Sequence, residues 1–84
     1  MVKEAVWSIS MQRAQAFFRA QADVREENPS VYHYESCRIC LTELPPRGTG
    51  IWKAQQLKLC IEGPQDRVEA IYHRFFLQFL STGG

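Results

Sequence analysis

The sequence predicts a small α+β domain in which two helices pack on one face of a small antiparallel sheet, with elements in the order βαββα. Two stretches carry apolar residues at helical spacing, three carry them at the alternation of strands, and short clusters of Pro, Gly, Asn and Ser separate them. With 84 residues and no linker-like segment, residues 1–84 read as one domain.

Residues 2–9 open with a strand, because Ala5, Trp7 and Ile9 share one parity. Ser10 then offers a hydroxyl to an orphan backbone N–H. Met11, Ala14, Phe17, Phe18 and Val24 recur at helical spacing, so a helix is expected from there to Arg25. Gln12, Arg13, Gln15, Arg19 and Asp23 form its wet face. Proline disfavours helical geometry in the residue before it, which makes Glu26-Glu27-Asn28-Pro29-Ser30 a loop.

Residues 31–44 are dense in β-branched and aromatic side chains and read as one long strand. A continuous strand puts Val31, His33, Glu35, Cys37, Ile39 and Leu41 on one face, and Tyr32, Tyr34, Ser36, Arg38, Cys40 and Thr42 on the other. Pro45-Pro46-Arg47-Gly48-Thr49-Gly50 halts it, since prolines remove ladder donors and glycines permit a reversal. The next strand covers residues 51–62, with Leu57, Leu59 and Ile61 opposed in parity to Gln56, Lys58, Cys60 and Glu62.

Gly63-Pro64 starts the last helix, because proline's missing donor is an orphan at the first helical position anyway. Val68, Ile71, Tyr72, Phe75 and Phe79 trace its core stripe. Phe76, Leu77 and Leu80 widen that stripe past what one sheet face covers. The order β, α, β, β, α is that of the first five elements of a ferredoxin-like βαββαβ sandwich, so that two-layer fold is expected without its last strand. Such a sheet leaves one face and an edge bare, and a homodimer is the expected remedy.

The composition, 45% hydrophobic and 12% aromatic, is that of a folded chain rather than a disordered one. Ten basic residues against nine acidic ones leave a net charge of +1, which excludes a strong general attraction to polyanions. There is no apolar run long enough to span a membrane and no basic, apolar secretory head, so the cytoplasm and no membrane partner are expected. Three cysteines cannot all pair within one chain, and reduced thiols agree with that compartment.

Cys37-Arg38-Ile39-Cys40-Leu41-Thr42-Glu43-Leu44 resembles the opening of a RING zinc domain. A RING repeats such ligand pairs, whereas only Cys60, His33 and His73 remain here, so the family's sites cannot be completed. Cys37 and Cys40, three apart on a strand, also point to opposite faces, and matching apolar sides pairs Cys60 with Cys40. No metal and no cofactor are therefore expected. A redox pair of the thioredoxin type needs a helix N-terminus, and these cysteines lie in a strand. Gly48-Thr49-Gly50 with Lys53 joins two strands, so it is a turn and not a phosphate loop. The terminal Gly83-Gly84 is similar to the tail of ubiquitin-like modifiers and sulfur carriers, which implies a carboxylate activated by adenylation; those folds reach the tail from a strand, this chain from a helix.

For catalysis, His33 with Glu35 is the nearest approach to a base beside a carboxylate, and His73 lies between Tyr72 and Arg74 on a solvated helix face. No nucleophile joins either, and no enzyme is expected. Tyr32, Tyr34, Arg38 and Lys58 share a sheet face, with Trp52 near them, and Phe76, Leu77 and Leu80 form an apolar flank. These residues are the expected surface of a non-enzymatic binding or regulatory module that acts through protein contacts. Aromatics interleaved with cations also stack bases, making single-stranded nucleic acid the alternative, with Ser36 and Glu62 diluting the patch. A carrier, thiol or zinc protein is the third reading.

Overall fold

The computed structural model describes residues 1–80, and for Trp52 the strand position without the side chain. The elements are β1 (Val2–Trp7), α1 (Met11–Ala20), β2 (Val24–Asn28), β3 (Val31–Tyr34), β4 (Cys37–Thr49), β5 (Trp52–Glu62) and α2 (Gln65–Phe79). The strands form one antiparallel sheet in the order β1-β5-β4-β3-β2. The chain is α+β, but the ferredoxin-like βαββα sandwich does not form. Instead β2 to β5 make a continuous meander that brings β5 back beside β1, while α1 carries the chain from one sheet edge to the other.

Three local events produce the difference. First, α1 ends at Ala20, where Gln21 turns extended and its N–H bonds the Phe18 carbonyl. Residues 24–28, expected as helix end and loop, then form the edge strand β2. Second, the expected strand of residues 31–44 is broken by a turn at Glu35-Ser36, with Glu35 at φ 54°. Asn28 shapes the preceding turn, its Oδ1 accepting from the Ser30 N–H. Third, β4 does not stop at Pro45-Pro46. It absorbs both prolines in a register shift between Leu44 and Arg47 and continues to a tip at Gly50-Ile51.

The core lies between the helices and one sheet face. Leu57, Leu59 and Ile61 of β5 meet Cys37, Ile39 and Leu41 of β4, and Tyr32 and Tyr34 of β3 extend the layer. From α1 come Ala14, Phe17 and Phe18, and from α2 Val68, Ile71, Phe75 and Phe79. The Phe75 ring is the hub: its centroid lies 5.3 Å from Trp7, 5.5 Å from Phe17 and 4.7 Å from Phe79. Ser10 caps α1 as its sequence predicts, accepting from Arg13 N–H. Pro64 is the residue just before α2, and its carbonyl takes the first helical bonds from Arg67 and Val68.

Candidate functional site

The turn at Glu35-Ser36 decides which side chains are available. In one strand Tyr32, Tyr34 and Arg38 would share a face, but across a two-residue turn Tyr34 pairs with Cys37 and Tyr32 with Ile39. The tyrosines therefore face the helices, Tyr32 at 0% and Tyr34 at 4% exposure. Phe18 stacks on Tyr32 at 5.5 Å, and the Tyr32 hydroxyl donates to the Pro29 carbonyl. Arg38 and Lys58 stay on the uncovered face, without the tyrosines. The aromatic and cationic sheet face expected for stacking bases is thus not assembled. The Trp52 side chain and Gly83-Gly84 lie outside the described residues.

The chemical candidates disperse as well. His33 faces away from the helices and bonds Glu27 at 2.6 Å, while Glu35 lies 3.7 Å from Arg67. Hydrogen bonding from His33 holds the Glu27 carboxyl below its ordinary pKa. Cys37 is buried, and burial pushes its thiol up. Cys40 and Cys60 are half-buried and directly opposed across β4 and β5, as matching the apolar sides of these strands predicts. Among the described residues no group of three or more His, Cys, Asp or Glu side chains is arranged to hold a metal ion. An open concavity of about 320 Å³ lies between Phe17 of α1 and Phe79 of α2, and one of about 420 Å³ beside Pro45 and Gln56; neither unites a nucleophile with a base.

What remains distinctive is the contrast between the two sheet edges. At β2, Arg25, Glu26, Glu27 and Asn28 are all exposed, and the register shifts between Glu26 and Asn28. Arg19 of α1 clamps Glu26 through bonds of 2.6 and 3.2 Å. Charge, a bulge and a cross-linking arginine are devices that keep another strand off an edge.

The β1 edge carries charge as well, at Lys3 and Glu4, but it has neither a bulge nor a two-bonded clamp like that of Arg19 on Glu26. Its register against β5 is unbroken from Val2↔Glu62 to Trp7↔Leu57. Met1 and Gly63 exchange both backbone bonds, so antiparallel alternation turns the backbone of Lys3, Ala5 and Trp7 inward to β5. It turns the N–H and C=O of Val2, Glu4 and Val6 outward, where no described strand lies beyond them. Val2 and Val6, 55% and 58% exposed, project on the uncovered face with Glu4 between them. On the helix side the edge is flanked by Trp7, Tyr72 and Phe76, with the Phe76 ring 6.0 Å from Trp7 and Lys3 Nζ 4.5 Å from the Tyr72 ring centre. Leu80, one turn beyond Phe76, and Leu77 are both exposed. Trp7 Nε1 is buried without a hydrogen-bond partner among the described residues.

The signal for this edge was present in the sequence as Val2, Val6 and the widened α2 stripe, but locating β1 at an edge required the meander. Arg38 and Lys58 keep to the open face, Lys58 standing 4.0 Å from Glu4. Among the described residues no helix is long and apolar enough to cross a membrane. No protein-family model matches the chain, and no curated protein matches it.

Proposed function

We propose that this domain is a non-enzymatic protein-binding module that takes up an extended segment of a partner along β1, adding a sixth strand to its sheet. The observation that carries the reading is the asymmetry of the edges: β2 has four exposed polar or charged residues, a register shift and an arginine clamp, whereas β1 keeps an unbroken register with exposed valines on either side of Glu4 and aromatic rings along its helix side. Outward backbone groups of Val2, Glu4 and Val6 would supply the ladder bonds, and Phe76 with Leu80 would meet the side chains on the helix side. Buried, unpaired Cys37 supports a reducing, cytoplasmic setting.

A second copy is the rival occupant. In the antiparallel register of greatest overlap, Glu4 of one copy would face Glu4 of the other, and like charges directly opposite destabilise a sheet. A foreign strand avoids that conflict. Selection of a random peptide library on the folded chain tests the proposal. Binders should shift the backbone amide resonances of Val2, Glu4 and Val6 and should fail on Val6→Pro, which removes an outward donor while sparing the β1–β5 ladder. Binders that map elsewhere, or that bind a folded Val6→Pro chain equally, would refute it. A concentration-dependent dimer abolished by Val6→Pro would give the edge to a second copy instead.

A further inference from the structure

We infer that the strand accepted by β1 carries a basic residue flanked on its own face, two positions before and two after, by apolar side chains. The inference rests on strand addition at β1 and specifies its occupant. On the uncovered side β1 presents Val2, Glu4 and Val6 in a row, so a paired strand must set three side chains directly opposite them. Apolar groups opposite Val2 and Val6 remove both valines from water, and a cation opposite Glu4 satisfies its carboxylate. Lys58, at 4.0 Å and itself 42% exposed, leaves Glu4 open to a second cation.

The pattern of apolar, basic and apolar at alternate positions is a palindrome. The same segment chemistry therefore fits whether the incoming strand runs parallel or antiparallel, and the choice is left to the helix side. There Lys3 rests over Tyr72 and the Trp7 and Phe76 rings line the margin, so the intervening positions of the partner meet an apolar wall with one cation. An acidic partner segment would oppose Glu4. A polyanion is likewise disfavoured at a row whose central charge is negative.

The test uses the full chain and two synthetic peptides, acetyl-Thr-Val-Thr-Lys-Thr-Val-Thr-amide and the same peptide with Glu for Lys, followed by fluorescence anisotropy at low salt. The lysine peptide should bind about three- to ten-fold more tightly than the glutamate peptide, from exchanging an attractive cross-strand pair for a repulsive one. On the Glu4→Lys chain the preference should reverse, and rising salt should compress it. A lysine peptide N-methylated at its edge-facing amides should not bind, a control that leaves the protein untouched. Equal binding of both peptides, lost on N-methylation, would overturn the charge rule while strand addition stands. Failure of both unmethylated peptides to bind would overturn the rule and the strand-addition reading together.

Discussion

Replacing Gly63 by alanine probes the junction where β5 gives way to α2 and where β1 is pinned at its start. Gly63 has φ +157°, a region costing an L residue about 1–3 kcal/mol. An added Cβ would sit 2.8 Å from Cys37 Sγ, 2.9 Å from Cys37 Cα and 2.9 Å from the Ser36 carbonyl oxygen. Two of those neighbours are backbone, so the turn after β3 must move, at a further cost of about 1–3 kcal/mol. The total is about 4 kcal/mol. A domain of 84 residues holds on the order of 4–12 kcal/mol in all, so Gly63→Ala removes a large part of it. Gly50→Ala is the control: φ is +61° but nothing lies within 4 Å, leaving only the left-handed cost of about 1–2 kcal/mol. Urea unfolding followed by circular dichroism should rank wild type above Gly50→Ala and that well above Gly63→Ala. Cys37→Ala added to Gly63→Ala should recover little, because it removes only the sulfur contact. The reasoning is wrong if Gly63→Ala loses no more than Gly50→Ala, or if Cys37→Ala restores it fully.

Tyr32→Phe should cost about 1 kcal/mol for its bond to Pro29, whose carbonyl keeps Gln15 as donor, while Tyr32→Ala should cost about 3–5 kcal/mol; an exposed tyrosine would give almost nothing in thermal unfolding. Arg74 holds the Asp23 carboxyl below its ordinary pKa through bonds of 2.9 and 3.0 Å. A depressed folded pKa adds stability above the unfolded value and loses it as pH falls through the folded one. Unfolding free energy should therefore decline below about pH 4, less steeply in Asp23→Asn than in the wild type. In the native chain Cys40 and Cys60 should react with a thiol reagent before Cys37, which waits for an opening of the core. Glutathione disulfide should not link Cys40 to Cys60, as intact mass will show: the alternation fixed by Met1 and Gly63 makes theirs a hydrogen-bonded rung, with Cβ atoms near 5.5 Å, wider than the roughly 3.5–4.5 Å a disulfide takes. Finally, Val2→Thr with Val6→Thr should leave stability within about 0.5 kcal/mol yet weaken a strand-adding peptide about ten-fold.

The sequence was readable wherever one residue type does one job. Ser10 capped α1, Leu57, Leu59 and Ile61 set the parity of β5, and Val68, Ile71, Phe75 and Phe79 drew the buried stripe of α2. It was opaque at β2, where Val24-Arg25-Glu26-Glu27-Asn28 holds a single apolar residue, because an edge strand at the sheet's margin needs little more. It misled at Glu35-Ser36. That turn contains neither Gly nor Pro, and the left-handed φ falls on a glutamate, so nothing local announced it. The consequence was larger than the error. A two-residue turn exchanges the parity of every side chain after it relative to those before, which moved Tyr32 and Tyr34 from the expected binding face into the core. The available clue was energetic: Tyr32, Tyr34, Cys37, Ile39 and Leu41 can all be buried together only if the phase changes between Tyr34 and Cys37.

The same topology explains why an exposed edge belongs to β1. Once α1 has carried the chain across the sheet, the meander fills the space from β2 back to β5, and β1 is left with a neighbour on one side only. Folding demands that Ala5 and Trp7 face the helices, and it demands backbone bonds from Lys3, Ala5 and Trp7 to β5. It makes no such demand of Val2 and Val6, which face water on the uncovered side; threonine would meet the strand's conformational preference while staying wet. Nor does it require Tyr72 and Phe76 to crowd the margin beside Trp7, where a lysine would suffice to end the apolar stripe. The exposed valines on one side of this unbulged edge and the aromatic margin on the other are what the proposed partner would cover at once, and a single added strand is the smallest structure that would do so.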